Sequence, residues 1–194
     1  MNENFLDIQE YVTGIFSQPG SHGLDHTLRV TELCKKIGTR EQADLLVLIP
    51  AALLHDIARP IEEKTGIPHE EEGARMAEAY LTSIRYPSHL ITCISHAILT
   101  HRFSTSHHPE TLEARILSDA DKLDATGAIG IARAFINAGE RGGDICDAID
   151  HINEKLLKLS DRMYTPSARE LAVERHQVLN SFLSTLISEM NSIC

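Results

Sequence analysis

The sequence predicts an all-α fold, and three observations favour it. Leucine, isoleucine and alanine recur at helical spacing, whereas no segment alternates apolar and polar residues convincingly as a strand would. The only aromatic residues are five Phe and four Tyr, with no Trp. No shift in composition and no linker rich in Pro, Gly or Ser divides the 194 residues. We therefore expect a single domain over residues 1–194.

Apolar residues that recur at about 100° per residue predict the helices in order. The expected helices are 3–17, 24–38, 41–58, 70–85, 88–102, 110–136 with a break, 144–160 and 166–191. In the second, His26 lies on the same stripe as Val30 and Ile37, so we expect its ring to face inward. The third is apolar nearly all round, which is typical of a central helix. Pro50 within it predicts either a kink or a boundary between two shorter helices.

The fourth predicted helix, 70–85, is an ordinary amphipathic helix. The fifth, 88–102, carries histidines on two different faces. His101 falls on the stripe of Ile94 and Ile98, whereas His89 and His96 fall on the opposite side. We therefore expect His101 to face inward and the other two histidines to lie at the surface.

Two carboxylates are expected on the inward face of the next helix. In LEARILSDADKLDATG, Asp121 and Asp124 share a face with Leu117, whereas Asp119 points away. The two inward carboxylates are one helical turn apart.

The last helix has a clear start. Thr165 is placed to cap it, and Pro166 takes the first helical position. Leu179, Phe182 and Leu186 further along predict a long packing helix.

Charge and the lack of an export signal restrict the function classes. A formal net charge of −10 argues against a broad grip on nucleic acid or on an anionic membrane. The N-terminal residues show no signal peptide, and every apolar run is interrupted too early to span a bilayer. We expect a cytoplasmic protein that binds neither nucleic acid nor membrane, and a homodimer stays open. The scattered cysteines are expected to be reduced thiols, namely Cys34, Cys93, Cys146 and Cys194.

Several polar side chains are expected in the helical interior. They are His26, His55, Asp56, His101, Asp121 and Asp124. His55 and Asp56 end the most apolar part of the chain in AALLHDIARP, and a buried carboxylate without a partner is costly. Imidazole nitrogens and carboxylate oxygens without thiolates suit a borderline or hard divalent ion. We therefore predict that a divalent ion neutralises these carboxylates, with Mn²⁺ expected first and Ni²⁺, Co²⁺, Fe²⁺ or Mg²⁺ as alternatives.

Each of these residues also has a simpler explanation when it is taken alone. A single inward histidine is more often a hydrogen-bonded core residue than a metal ligand. An HD dipeptide is common. The order of one histidine, then an HD pair, then an aspartate on separate helices is much more specific.

That order resembles the signature H…HD…D of the HD-domain superfamily of metal-dependent phosphohydrolases, which is carried on a helical bundle. The matches are His26 in SHGLDHTLRV, His55 and Asp56 in AALLHDIA, and Asp121 in LSDADKLDATGAIGIARAF. A subgroup of small stand-alone bacterial and archaeal HD hydrolases is similar through HGxDH, DADxLDAxGAIGIARAF and TPxxRxLAxxRH, the last matched by TPSARELAVERH. The likeness runs from about Ser21 to nearly the end of the chain. It implies an HD-domain helical bundle in which the four matched residues hold the metal.

The resemblance also implies a reaction. It indicates hydrolysis of a nucleoside triphosphate or a related phosphoanhydride to monophosphate and pyrophosphate by metal-activated water. The alternatives left open are a nucleotide monophosphatase, a non-catalytic regulatory module that binds a nucleotide, and an oxygenase with two irons. His69 and His101 keep the oxygenase open, because some HD proteins hold two irons with extra histidines.

The catalytic candidates are His101, Asp124 and Lys122. His101 matches a recurrent histidine of the family and could bind a second metal, contact phosphate or donate a proton, or simply be a core histidine. Asp124 could orient a ligand, activate water or form a salt bridge. Lys122 could contact phosphate or remain solvated. His69 is a weaker candidate for a second metal, with a helix N-terminal capping role as the alternative.

The chain departs from the family pattern just after the HD pair. Many relatives read HDIGD where this chain reads HDIAR, so Arg59 moves a positive charge towards the substrate. Acidic residues follow only at Glu62 and Glu63, which leaves the general acid unassigned.

Overall fold

The computed structural model describes residues 3–16, 23–103 and 107–191. The helices are α1 Glu3–Ile15, α2 Leu24–Glu41, α3 Leu45–Leu54, α4 Arg59–Thr65, α5 His69–Ser83, α6 Ser88–Thr100, α7 Leu112–Asp124, α8 Gly127–Glu140, α9 Ile145–Glu154 and α10 Pro166–Asn191. Two short 3₁₀ turns, Leu156–Lys158 and Ser160–Arg162, precede α10. These described ranges contain no strand, so the all-α prediction is confirmed.

The chain divides into two compact units, an N-terminal unit of Met1–Asp121 and a C-terminal unit of Lys122–Cys194. The expectation of one domain over the whole chain stays a prediction. Within the ranges that the structure describes, no helix is both long and apolar enough to cross a membrane.

Helix α3 lies at the centre of the N-terminal unit. It packs against α1, α2 and α6, while α5 packs against α6. Every residue from Val47 to Leu54 is buried, which accounts for a sequence that is apolar on all sides. Asp44 caps the start of α3, because its Oδ1 accepts a hydrogen bond of 2.8 Å from the Leu46 amide. The central position predicted for this helix is confirmed.

Pro50 lies inside α3, and the helix continues through it to Leu54. Proline has no amide hydrogen to donate to the carbonyl of Leu46, one turn earlier. The hydroxyl of Tyr86 donates to that carbonyl instead, at 2.7 Å. Burial together with Asp44 raises the pKa of Tyr86 to about 12, so the hydroxyl keeps its proton. A boundary at Pro50, one of the two predicted outcomes, is therefore wrong.

The predicted helix 41–58 is in fact the end of α2 followed by α3. Gln42 adopts a left-handed conformation with φ of 58° and closes α2, and the helical conformation resumes at Leu45. At the other end, residues 55–58 form turns that lead into α4. The HD pair therefore follows the helix rather than forming part of it.

The predicted orientation of Asp119 on α7 is wrong. Asp119 is completely buried, as are Leu117 and Ala120 on the face assigned to the interior. Helix α7 is buried on all sides over most of its length, so helical phase does not distinguish an inner from an outer face here. The orientation of α6 agrees with the prediction for His101, which is buried, and for His89, which is exposed. His96 is half-buried instead, and its Nε2 accepts a hydrogen bond of 3.2 Å from the amide of Glu110.

In the C-terminal unit, α8 packs against α9 and α10. The predicted break between α7 and α8 is present and ends at Gly127, whose φ of 66° favours glycine. Thr165 precedes α10 as predicted, and its Oγ1 accepts a hydrogen bond of 3.4 Å from the amide of Ala168. Among the cysteines, Cys34, Cys93 and Cys146 are free thiols, and Cys194 lies outside the described residues.

Candidate metal centre

Four histidines of the N-terminal unit lie at the ends of four different helices. His26 is in the first turn of α2, His55 follows α3, His69 begins α5 and His101 follows α6. All four are at most 1% exposed. Side chains at helix ends are free of the divergence that a helix imposes on neighbouring residues, so they can converge on one region of the interior.

Four donor atoms lie close together in what we call the first centre. The Nε2 of His26 is 3.3 Å from the Nε2 of His55, 3.4 Å from the Oδ2 of Asp56 and 3.3 Å from the Oδ1 of Asp121. The Nε2 of His55 is 3.6 Å from the same Asp56 oxygen. The Asp121 side chain is 24% exposed, so the first centre is open on the Asp121 side.

The hydrogen bonds of the rings determine which nitrogen carries the lone pair. The Nδ1 of His55 donates to the carbonyl of Ala52 at 2.7 Å, and the Nδ1 of His101 donates to the carbonyl of Ile98 at 2.6 Å. A carbonyl oxygen only accepts, so Nδ1 carries the hydrogen in both rings. When either ring is neutral, its Nε2 therefore presents a lone pair to the interior, as a metal ligand must.

Electrostatics favour the metal-binding forms of two residues in the first centre, His55 and Asp121. Burial lowers the pKa of His55 to about 4 despite the nearby Asp56 carboxylate, so the imidazole is neutral at physiological pH. Burial alone would raise the pKa of Asp121, but its interaction with His26, and to a smaller extent with His101, holds that pKa well below its ordinary value. Neutral imidazole and ionised carboxylate are the forms that bind metal ions.

A second group of donor atoms faces the other oxygen of Asp56, and we call it the second centre. The Oδ1 of Asp56 is 3.4 Å from the Nε2 of His69 and 3.7 Å from the Nε2 of His101. Both Nε2 atoms are buried and make no hydrogen bond within the part of the chain that the structure describes. The Nδ1 of His69 donates to the Glu62 carboxylate at 2.7 Å, which leaves its Nε2 as the acceptor.

Arg59 lies directly against the second centre. Its Nε donates to the Oδ1 of Asp56 at 3.0 Å, and its Nη1 donates to Glu62 at 3.3 Å. The Nη1 of Arg102 donates to Glu62 at 3.0 Å and to Glu70 at 3.2 Å. Two arginines therefore balance the carboxylates around His69.

The donor atoms of the first centre fit a divalent ion. Nitrogen and oxygen ligands at about 2.1 Å from one ion lie about 3.0–3.5 Å apart. Three of the four separations described above, at 3.3–3.4 Å, fall within this spacing, and the fourth, between His55 and Asp56, is slightly longer at 3.6 Å. Two imidazoles and two carboxylates form a donor set for Mn²⁺, Fe²⁺, Co²⁺ or Ni²⁺.

The structure brings the four residues proposed from the sequence as metal ligands around one atom. The Nε2 of His26 lies 3.3–3.4 Å from a donor atom of each of the other three, which are His55, Asp56 and Asp121. Of the three catalytic candidates, His101 lies in the N-terminal unit, whereas Lys122 and Asp124 lie in the C-terminal unit. Asp124 accepts a hydrogen bond of 2.7 Å from Arg133, so the salt bridge left open for it is present. Lys122 donates to the carbonyl of Arg162 at 2.9 Å and lies 4.3 Å above the Tyr164 ring. Their catalytic roles stay predictions.

Sequence reasoning underestimated His69 and its partners. A capping role for His69 is wrong, because Pro68 occupies the N-cap position of α5 and the His69 ring bonds to Glu62. In the sequence, Glu62 was considered only as an acidic residue too far after the HD pair to be assigned as the general acid. The signal available in the sequence was the recurrence of a histidine before a helix in related proteins, without any indication of its partner.

Comparison with known proteins places this geometry in a family. The profile of the HD domain matches residues 23–126. The chain is 35% identical to the uncharacterized protein YpgQ of Bacillus subtilis, over 96% of this chain and 93% of YpgQ. A crystal structure of YpgQ in complex with ADP superposes with a TM-score of 0.81 at 32% identity, covering 98% of this chain and all of that one.

A second solved structure, a predicted HD superfamily hydrolase from an uncultured Thermotogales bacterium, gives a TM-score of 0.71 at 32% identity. It is covered over 92% of its length by 97% of this chain. The family resemblance drawn from the sequence is therefore confirmed, together with the HD-type helical bundle. The chain belongs to the HD domain family and is a metal-dependent phosphohydrolase of the HD superfamily.

Proposed function

We propose that this protein hydrolyses a nucleoside triphosphate or a related phosphoanhydride to a monophosphate and pyrophosphate, with Mn²⁺ as its first-choice metal. The observation that carries the proposal is the first centre, where two imidazole nitrogens and two carboxylate oxygens lie within 3.6 Å of their neighbours in a buried site. The ADP complex of the related YpgQ supports a nucleotide as the ligand.

The residues of the first centre would divide the work as follows. His26 and His55 would hold the ion through their Nε2 atoms, while Asp56 and Asp121 would neutralise its charge. When bound, a divalent ion polarises a phosphoryl oxygen and makes water more acidic. The open side at Asp121 lets water and a polyphosphate approach, and the buried opposite side keeps the ligand geometry constant.

His101 is the proposed proton donor. Burial alone would lower its pKa, but the nearby carboxylates of Asp56 and Asp121 raise it above the ordinary value. Its protonated Nε2 would direct a hydrogen towards the Asp56 side of the site. A raised pKa suits a group that must deliver a proton near neutral pH.

Lys122 and Asp124 enter the proposal as supporting residues. Lys122 is the candidate cation for a phosphate oxygen, and Asp124 the candidate carboxylate for orienting water. Both are already fixed by contacts within the C-terminal unit, to Arg162 and Arg133 respectively. Fixed polar groups are the kind that stabilise a developing charge without reorganising.

The test is a screen of nucleoside mono-, di- and triphosphates with Mn²⁺, Ni²⁺, Co²⁺ and Mg²⁺, in which phosphate and pyrophosphate are followed separately. We expect pyrophosphate from triphosphates with Mn²⁺ or a similar ion, and no turnover in EDTA. Phosphate from monophosphates without triphosphate turnover would instead identify a nucleotide monophosphatase. Tight nucleotide binding by metal-loaded protein without any turnover would identify a regulatory module.

A further inference from the structure

The two oxygens of the Asp56 carboxylate face two different groups of donor atoms. Oδ2 faces the first centre, where it lies 3.4 Å from the Nε2 of His26. Oδ1 faces the second centre, where it lies 3.4 Å from the Nε2 of His69 and 3.7 Å from that of His101. A carboxylate with imidazole nitrogens on each side is suited to bridge two ions.

A cation already lies at the second centre. The Nε of Arg59 is 3.0 Å from the Oδ1 of Asp56, so the guanidinium bonds to the oxygen that a second ion would need. The same guanidinium reaches Glu62, whose Oε2 holds the Nδ1 of His69. Arg59 therefore contacts both the carboxylate ligand and the residue that orients an imidazole of the second centre.

Local structure holds Arg59 in this position. It lies three residues after Asp56 and is the first residue of α4, where the turn of residues 55–58 ends. Its side chain is only 20% exposed, so its charge is not dispersed into solvent. Two carboxylates fix the fork of the guanidinium on one side of the site.

We propose that Arg59 takes the place of a second metal ion, so that the protein holds one divalent ion at the first centre and is kept from holding two. The proposal rests on metal binding at the first centre, which the proposed function also uses.

Charge and geometry support this substitution. An arginine stays protonated under all physiological conditions, and a divalent ion cannot bind the same oxygen beside it without strong repulsion. Without the Arg59 guanidinium, the carboxylates of Asp56 and Glu62 would lose the cation that they share, beside the imidazoles of His69 and His101. Those two imidazoles present Nε2 atoms that make no hydrogen bond among the described residues, which is a site ready for a metal ion.

The experiment counts metal ions in the full chain. Metal-free protein is loaded with Mn²⁺, freed of loosely bound ions on a desalting column, and analysed by elemental analysis and electron paramagnetic resonance. We expect about one Mn²⁺ per wild-type chain, with the spectrum of an isolated ion. Arg59→Met should double the Mn²⁺ content and give the broadened spectrum of two ions coupled through a shared carboxylate.

Two variants control for indirect effects. Arg75→Met removes a similar i, i+3 ion pair, with Glu72 on the exposed face of α5, and should leave the content at one ion. His69→Ala should leave wild-type content unchanged but return Arg59→Met to one ion, since it removes a ligand of the second centre only.

The outcomes separate this inference from the proposed function. A wild-type chain that binds two coupled ions, or loses one of them in His69→Ala, overturns the role of Arg59 even if Arg59→Met fails to fold. A folded Arg59→Met protein that still holds one ion overturns it as well. A wild-type chain that binds no Mn²⁺ overturns metal binding at the first centre, and with it both proposals.

Discussion

At the scale of single residues, Asp56 is the position on which the site depends most. It is 1% exposed, its two oxygens face different sets of imidazoles, and Arg59 bonds to one of them. A buried carboxylate is costly without a partner, and the guanidinium of Arg59 supplies one for Asp56. We therefore expect substitutions of Asp56 to reduce metal binding, and to affect the substrate only through the loss of the metal.

Replacing Asp56 by alanine should remove the metal. Its carboxylate supplies one of four donor atoms and most of the charge on the buried side of the first centre, so the variant should retain less than about a tenth of the wild-type Mn²⁺. Elemental analysis after desalting measures this. Asp150→Ala, on an exposed position of α9, should keep the full content. Full metal content in Asp56→Ala would contradict its role as a ligand.

His101→Ala should reduce turnover more than metal content. Its Nε2 lies outside the first centre, on the Oδ1 side of Asp56, so the ion loses none of its four ligands. Loss of a general acid costs about 10²–10⁴-fold in kcat. The measurement is kcat together with bound Mn²⁺ in the same preparation, with the exposed His89→Ala as the unaffected control. A parallel fall of both quantities would make His101 a ligand instead.

The stability of the metal-free protein should decrease in mild acid. His55 has a pKa of about 4 when folded and about 6.5 when unfolded, so the unfolded chain binds the extra proton between these values. The free energy of unfolding therefore falls as pH drops from about 6.5 to about 4, by on the order of 3 kcal/mol from this group. Urea unfolding in EDTA at several pH values measures the slope, which should be shallower in His55→Gln. An unchanged slope would contradict the neutral buried state of His55.

At the scale of elements, the ends of the helices supply most residues of the site, whereas their middles supply the core. Helix α3 supplies the core with its interior residues and the site with the two residues that follow it. Pro50 is tolerated within this helix because the Tyr86 hydroxyl satisfies the carbonyl that proline leaves without its usual partner. The link between α3 and the segment before α6 is thus a specific hydrogen bond as well as apolar packing.

Tyr86→Phe should destabilise the protein by about 1–2 kcal/mol, because it leaves the carbonyl of Leu46 without its donor. Pro50→Ala restores an amide that can bond to the same carbonyl. In that background the cost of Tyr86→Phe should shrink, and a double-mutant cycle from urea unfolding measures the difference. Equal costs in both backgrounds would show that the tyrosine acts through packing alone.

At the scale of the whole molecule, charge and metal work together. The chain carries a formal net charge of −10, which repels a polyphosphate at long range. The donor atoms of both centres lie in the N-terminal unit, within one bundle of helices. A divalent ion bound at the first centre would neutralise the carboxylates of Asp56 and Asp121 and would join three separate segments of that unit, namely α2, the turn after α3 and α7.

Metal binding should therefore stabilise the fold. A ligand that binds only the folded state at about a hundredfold above its Kd adds about 2.7 kcal/mol. We expect Mn²⁺ to raise the Tm of the wild-type protein and EDTA to reverse the change, as measured by differential scanning calorimetry. Asp56→Ala should show no such response, and an equal rise in that variant would mean that Mn²⁺ binds elsewhere.

The sequence by itself determined the helical class, most helix positions and the residues of the first centre. Helical periodicity reports which face of a partly exposed helix is inward, and this placed His26 and His101 correctly in the interior. The H…HD…D order then identified which inward polar residues belong to one site. Periodicity placed Asp119 wrongly, because a helix that is buried on nearly all sides has no exposed face to give a periodic pattern.

Only the tertiary structure decided which oxygen of Asp56 faces which ring, and which side chains surround His69. The contacts of Asp56 with His69 and of Glu62 with Arg102 join segments that are distant in sequence, and no local pattern records such distances. The substitution of arginine in HDIAR was visible in the sequence, but its position on the Oδ1 of Asp56 depends on the turn after α3. Coordination geometry is a property of three-dimensional packing, because each ligand is oriented by neighbours from other helices.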